Sequence, residues 1–142
     1  MNLLVTGATG ELGSHLVGEL VKDGHRVTGL VHRRPPPRLD IRWLEGDVTQ
    51  PGFGIMGQLP ALDALVHCAG QVRFRDTPAL HRANVGGVTN AVKVAQEWGV
   101  PLFHVSTAYV IGSRQGLEHM TPADLLPDTC RNAYEGSKLN AE

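Results

Sequence analysis

The stretch Leu3-Leu4-Val5-Thr6-Gly7-Ala8-Thr9-Gly10-Glu11-Leu12-Gly13 decides the fold. A short apolar run breaks into three glycines at three-residue spacing, and the pattern then turns helical. An apolar run without alternation suits a strand buried on both faces. Glycines without a Cβ let backbone N–H groups approach a pyrophosphate, and the following helix aims its positive end at the same point. In a chain with 17 glycines the spacing alone is a weak signal. Its place at a strand-to-helix junction points to a dinucleotide-binding turn, with a purely structural tight turn as the competing reading. Gly7, Thr9, Gly10, Glu11, Leu12 and Gly13 are the candidate cofactor contacts of this turn.

The rest of the chain continues the alternation. Leu12, Leu16, Leu20 and Val21 recur at helical spacing up to the Asp23-Gly24 stop. Arg26 to Val31 reads as a second strand, followed by the basic, proline-rich run His32 to Arg38, which excludes regular structure. A third strand is expected at Ile41 to Glu45. A glycine-rich connection from Thr49 to Pro60 has room for one helical turn, and Leu62 to His67 makes a fourth strand. From Pro78 to Trp98 a long helix can bury Leu80, Val88, Ala91, Val92, Val94, Ala95 and Trp98, with Gly86-Gly87 expected to weaken or bend it. Leu102 to Ser106 is the fifth strand. A polar loop runs to about Arg131, and a last helix starts near Asn132, with the chain expected to stop inside it. Strand–helix alternation with right-handed crossovers implies an α/β fold, a doubly wound (Rossmann) parallel sheet of order 3-2-1-4-5, truncated before a sixth strand.

The totals bound the function. A chain of 142 residues is one domain, and a net charge of -1 gives no reason to expect nucleic acid. The N-terminal apolar run is too short for a membrane span and lacks the marks of a signal peptide, which points to a cytoplasmic protein with no membrane partner. Cys68 and Cys130 are too few for a disulfide framework and read as free thiols. The seven histidines lack metal-ligand spacing, so no metal is expected.

The end of the second strand faces the adenosine ribose of a bound dinucleotide. An acidic residue there would accept from the 2′-OH of NAD. The chain instead offers Arg33 and Arg34, whose guanidinium forks suit the 2′-phosphate of NADP (NADPH), unless they belong to a solvated basic loop. Asp47 could accept from the adenine amino group with the Val48 backbone alongside, or cap a turn. Ala69 and Gly70 end the fourth strand without bulk, where the cofactor would pass over the sheet edge. Near the C-terminus, four-residue spacing places Tyr134 and Lys138 on one helix face. A phenol ordinarily ionises near pH 10, so acid–base work near neutrality needs a cation beside it, and Lys138 supplies one. Ser106 and Thr107 leave the fifth strand at the sheet edge where open α/β folds bind ligands. Either hydroxyl could bond a reacting carbonyl, or a local backbone group.

Over essentially its whole length the chain resembles the extended short-chain dehydrogenase/reductase superfamily (NAD-dependent epimerase/dehydratase-like). The ordered set is Thr6 to Gly13, Gly46-Asp47, His67-Cys68-Ala69-Gly70, Asn84, Ser106-Thr107, and Tyr134 with Lys138. Val105 to Val110 with Gly112, and Asn132 to Lys138 with Ala141-Glu142, look most like the thioester reductase and fatty acyl reductase branch. The resemblance implies a catalytic Thr107, Tyr134 and Lys138, with Thr107 selected by its position five before Gly112. It extends the cofactor contacts to Cys68, Tyr134 and Lys138. It implies that Tyr134 protonates the substrate oxygen while Lys138 holds the nicotinamide ribose and favours the phenolate, giving an aldehyde from an acyl thioester. Glu11, Gly70 and Gly87-Val88 depart from the usual family residues. The family continues beyond Glu142, so the chain reads as an N-terminal part expected to be inactive without its C-terminal substrate region. The substrate is then a small-molecule carbonyl or acyl thioester, and a homodimer is compatible with the family. Competing readings are a nucleotide-sugar epimerase or dehydratase, and a non-catalytic dinucleotide-sensing protein on the same fold.

Overall fold

In the computed structural model, which describes residues 1–32, 40–56, 61–113 and 127–142, the opening apolar run is the central strand of the sheet. β1 (Asn2–Thr6) is flanked by β2 (Arg26–Val31) and β4 (Ala64–His67), with β3 (Arg42–Glu45) and β5 (Leu102–His104) outside them. All pairings are parallel and the order is β3-β2-β1-β4-β5. This is the doubly wound order expected.

Alternate residues feed two cores. Leu4, Leu30 and Leu65 pack with Phe53, Ala91, Val94 and Ala95 on one face, while Val5, Val27 and Val66 pack with Ala8 and Val17 on the other. The second face is covered by α1 (Glu11–Lys22) and the first by α3 (Gly87–Trp98). On α1 the buried stripe is rotated from the expected one. Gly13 and Val17 are buried, whereas Leu12 and Val21 are exposed, because Gly13 must lie against the glycine turn: a Cβ there would stand 2.1 Å from the Gly7 carbonyl oxygen. On α3, Val92 is likewise exposed rather than buried.

Gly86 and Gly87 both keep right-handed helical dihedrals. α2 (Pro78–His81), capped by Thr77 accepting from the Leu80 N–H at 3.1 Å, runs through a π turn at Arg82–Gly86 into α3. The expected irregularity is absorbed as a wider turn just before Gly87, and such turns re-aim side chains. The connection expected from Thr49 to Pro60 holds a tight turn at Pro51–Gly54, with Gly52 and Phe53 left-handed at φ 59 and 58, and Phe53 is completely buried there. β3 starts one residue later than expected, β4 starts at Ala64 and β5 ends at His104. The final helix α4 (Ala133–Leu139) stops three residues before Glu142, so the chain does not end inside it.

Candidate active site and cofactor groove

The C-terminal ends of the strands meet the glycine turn along one groove with two cavities that share Gly7, Ala69, Gly70 and Gln71. Thr6 ties the strand ends together. Its Oγ1 accepts from the Ala69 N–H at 3.2 Å and lies 2.9 Å from His67 Nδ1. Gly7 turns away at φ 68, with its would-be Cβ 2.6 Å from the Ala69 nitrogen, so the turn and β4 are in backbone contact. At the start of α1, Gly10 is the N-cap and offers no side-chain cap. The first-turn N–H groups have no intrahelical partner by helix geometry. Gly10 donates its own N–H to the Gly7 carbonyl at 2.9 Å, while Glu11, Leu12 and Gly13, whose N–H groups open the helix, line the larger cavity, of about 580 Å³, so the positive helix end faces it. A dinucleotide pyrophosphate fits this donor set. Cys68, a thiol pushed up by burial against a smaller opposing effect of Lys138, also lines this cavity.

α4 brings the phenol and the ammonium to the same cavity. Asn132 caps the helix by accepting from the Glu135 N–H at 3.0 Å, and Glu135 reaches back to the Arg131 N–H at 2.7 Å. This is a variant of the capping box, with the acid bonding one residue further upstream. Arg131 also pairs with the Glu135 carboxylate at 2.7 Å; these hydrogen bonds hold the acid below its usual range although burial opposes them. Tyr134 and Lys138 thus project from a pinned helix, and both line the cavity. Lys138 is nearly buried and donates from Nζ to the Val105 carbonyl at 3.0 Å. Burial pushes its ammonium below the ordinary lysine range, while Glu142 and Cys68 work against that shift.

Behind this pair lies a buried polar brace. Asn84, inside the π turn, accepts from the Gln71 N–H at 2.7 Å and donates to the Gln71 carbonyl at 3.0 Å and to Ser137 Oγ at 2.8 Å. Ser137 in turn donates to the Tyr134 carbonyl at 2.8 Å. One side chain therefore joins the loop after β4 to the helix carrying Tyr134.

The two candidate hydroxyls separate. Ser106 lines the cavity and donates to the Glu142 carboxylate. Thr107 caps the 3-10 turn Ala108–Ile111, where its Oγ1 accepts from the Tyr109 N–H at 3.3 Å, and it is not among the cavity-lining residues.

The second cavity, of about 410 Å³, holds the adenosine-end candidates: Thr9, Asp47 and Val48, with Ala69 and Gly70 shared. Asp47 Oδ1 accepts from both the N–H and the hydroxyl of Thr49 at 2.8 Å, the turn-capping alternative. Its Oδ2 lies 3.4 Å from His32 Nε2. Burial opposes ionisation of Asp47, but Thr49 and His32 together hold the carboxyl below its usual range. Arg33 and Arg34 lie outside the described residues. His32 and Arg82, which the sequence reading passed over, also line this cavity. His32 had a signal in its position directly after β2, whereas Arg82 is remote in sequence and had none.

A glycine turn at a strand–helix junction, the start of α1, and Tyr134 with Lys138 meet in one cleft of a doubly wound parallel sheet. The chain belongs to the NAD dependent epimerase/dehydratase family, whose profile matches residues 3–142. It is 34% identical over 133 residues to a ceramide reductase of Caulobacter vibrioides, covering 84% of this chain and 42% of that protein. It is 31% identical over 121 residues to a hybrid PKS-NRPS synthetase of Talaromyces variabilis, covering 77% of this chain and 3% of that protein. Among solved structures it resembles MoeE5 in complex with UDP-glucose and NAD, with a TM-score of 0.75 and 25% identity over 99% of this chain and 46% of that one. The chain therefore spans less than half the length of these relatives. Among the described residues no helix is long and apolar enough to cross a membrane.

Proposed function

We propose that the chain is the cofactor-binding and acid–base portion of an NADP-dependent oxidoreductase that reduces a carbonyl, with an acyl thioester as the substrate class. The observation that carries this is the placement of Tyr134 and Lys138, on one pinned helix, in the cavity that the glycine turn lines. A bound nicotinamide dinucleotide supplies the two-electron reduction. Tyr134 holds the proton for the substrate carbonyl oxygen, and Lys138, held to the Val105 carbonyl, supplies positive charge beside the phenolate that forms and donates to the nicotinamide ribose. Thr107, whose Oγ1 accepts from the Tyr109 N–H, keeps its own hydroxyl proton to orient the carbonyl. For a thioester, two electrons and two protons release the thiol and leave an aldehyde. The thioester branch is supported by the Asn132 to Lys138 motif and by the PKS-NRPS relative. NADP is supported by His32, Arg33 and Arg34, which follow β2 where an acidic residue would favour NAD. The same reading puts the protein in the cytoplasm, and a homodimer through its mid-chain helices is compatible with it.

A nucleotide-sugar epimerase or dehydratase is the second reading, favoured by the likeness to MoeE5 bound to UDP-glucose and NAD. The complete protein assayed for NADPH oxidation with acyl thioesters, and for conversion of nucleotide sugars, separates the two. Turnover of thioesters is expected; epimerisation of a sugar nucleotide without thioester turnover overturns the proposal. In the same protein Tyr134→Phe should lose turnover by at least about a hundredfold, the lower range for a positioned acid, and still bind NADPH. Undiminished turnover would remove Tyr134 from the chemistry.

A further inference from the structure

The adenosine end of the groove has two walls. One is formed by residues that follow β2 and β3: His32, Asp47, Val48 and Thr49. The other comes from the long helix, through Ala79, Arg82 and Ala83. Arg82 opens the π turn, and Asn84, two positions on, lines the larger cavity instead. Residues two apart on such a turn point to nearly opposite sides, so one turn serves both ends of the groove: Asn84 at the reacting end and Arg82 at the adenosine end.

Arg82 is exposed and has no hydrogen bond or ion pair among the described residues. Among the described residues, the one carboxylate that lines the cavity is already committed, Asp47 to Thr49 and to His32. Among the described residues, Arg82 at this cavity has no counter-charge, and a ligand phosphate would supply one. A fork of N–H donors matches phosphate oxygens two at a time, which an uncharged ribose hydroxyl cannot exploit.

We propose that Arg82 is a specificity-determining residue that binds the 2′-phosphate of NADP from the helix side of the groove, opposite His32. The proposal rests on the NADP reading given above and adds a cation from a different part of the chain than Arg33 and Arg34. If Arg82 instead stacked on the adenine ring, it would hold NAD and NADP equally.

The test is direct binding, by titration calorimetry, of NADPH, NADH, adenosine 2′,5′-bisphosphate and AMP to the protein and to its Arg82→Ala and Arg82→Lys variants. Arg82→Ala should weaken NADPH and the bisphosphate by about tenfold to a hundredfold, the loss expected for a charged hydrogen bond, and leave NADH and AMP unchanged. Arg82→Lys should fall between, because it keeps the charge and loses the fork. NADPH binding to the variant should also depend less steeply on salt. Equal loss for both cofactors would assign Arg82 to the adenine ring and overturn the proposal, as would no loss for either. The two failures are separable. If the unsubstituted protein binds NADH as tightly as NADPH, the NADP reading falls and this one with it. If it prefers NADPH and Arg82→Ala keeps that preference, only the role of Arg82 falls.

Discussion

His67 carries an acid sensitivity that follows from where its nitrogens sit. Thr6 Oγ1 accepts from Ala69 and can give its own proton to Nδ1 of a neutral imidazole, which leaves the ring N–H on Nε2, buried with no partner among the described residues. The ring stacks on His104, 5.6 Å between centroids, and both nitrogens of His104 are also buried without hydrogen-bond partners among the described residues. Burial first, then His104 and Lys138, pull His67 down to about 3. Below its ordinary value of 6.5 the unfolded chain takes up a proton that the folded chain refuses, so stability falls as pH falls from 6.5 towards 3. By pH 5 the loss from this group is about 2 kcal/mol, at about 1.4 kcal/mol per pH unit. Urea midpoints measured between pH 7 and pH 5 should show the decline, and His67→Gln should flatten it. An unaltered slope in that variant would assign the acid sensitivity elsewhere. His104, lowered mainly by burial, adds in the same direction. These histidines read as ordinary strand-end residues in the sequence, because nothing local reveals that β4 and β5 stack them.

Within single elements, α1 shows where periodicity succeeds and where it stops. Its existence and its stop at Asp23 follow from the spacing of apolar residues and the Asp23-Gly24 pair, but the stripe is rotated because backbone contact at Gly13 outranks side-chain hydropathy. The two glycines of this helix should therefore behave in opposite ways. Gly18 has no atom within 4 Å of a would-be Cβ, and Gly18→Ala should stabilise by about 1 kcal/mol, the helix propensity difference. Gly13→Ala puts a carbon 2.1 Å from the Gly7 oxygen and should lower the thermal midpoint and NADPH affinity together. A Gly13→Ala protein that melts and binds as the unsubstituted one does would contradict the packing at the turn. The π turn makes the same point on the other face. Gly86-Gly87 signalled an irregularity, but its form depends on Asn84 being drawn into hydrogen bonds with Gln71 and Ser137, residues on two other segments. α4 was the most accessible element. Asn132 and Glu135 sit at cap and third positions, so the start of the helix and the shared face of Tyr134 and Lys138 are local properties.

At the scale of the whole molecule, Phe53 shows what the sequence could not reveal. It sits in a glycine-rich connection with no periodicity, at φ 58, yet its ring is completely buried against the edge of Trp98, 6.5 Å between centroids. Phe53, with Val48 and Ile55 packed against the same cluster, anchors the Gly46 to Ile55 connection to the core, and Asp47 N–H donates to the Phe53 carbonyl at 2.8 Å. Phe53→Ala should cost about 3–5 kcal/mol in urea unfolding, the usual range for an emptied aromatic site. A loss below about 1 kcal/mol would mean that the connection does not pack as described. Because Asp47 and Val48 ride on this connection, the adenosine end of the groove depends on a core contact some residues away.

By itself the sequence determined the strand order, the glycine turn and the pairing of Tyr134 with Lys138. Each is set by local geometry: hydrophobic period, Cβ-free backbone, four-residue helical spacing and right-handed crossover. Only the tertiary structure decided which distant groups meet at the groove. Val105 holds Lys138, Asn84 joins Gln71 to Ser137, Ser106 faces the cavity while Thr107 caps a turn, and Arg82 shares a cavity with His32. Those meetings depend on burying apolar faces and satisfying polar groups across segments far apart in sequence, and no residue spacing records them.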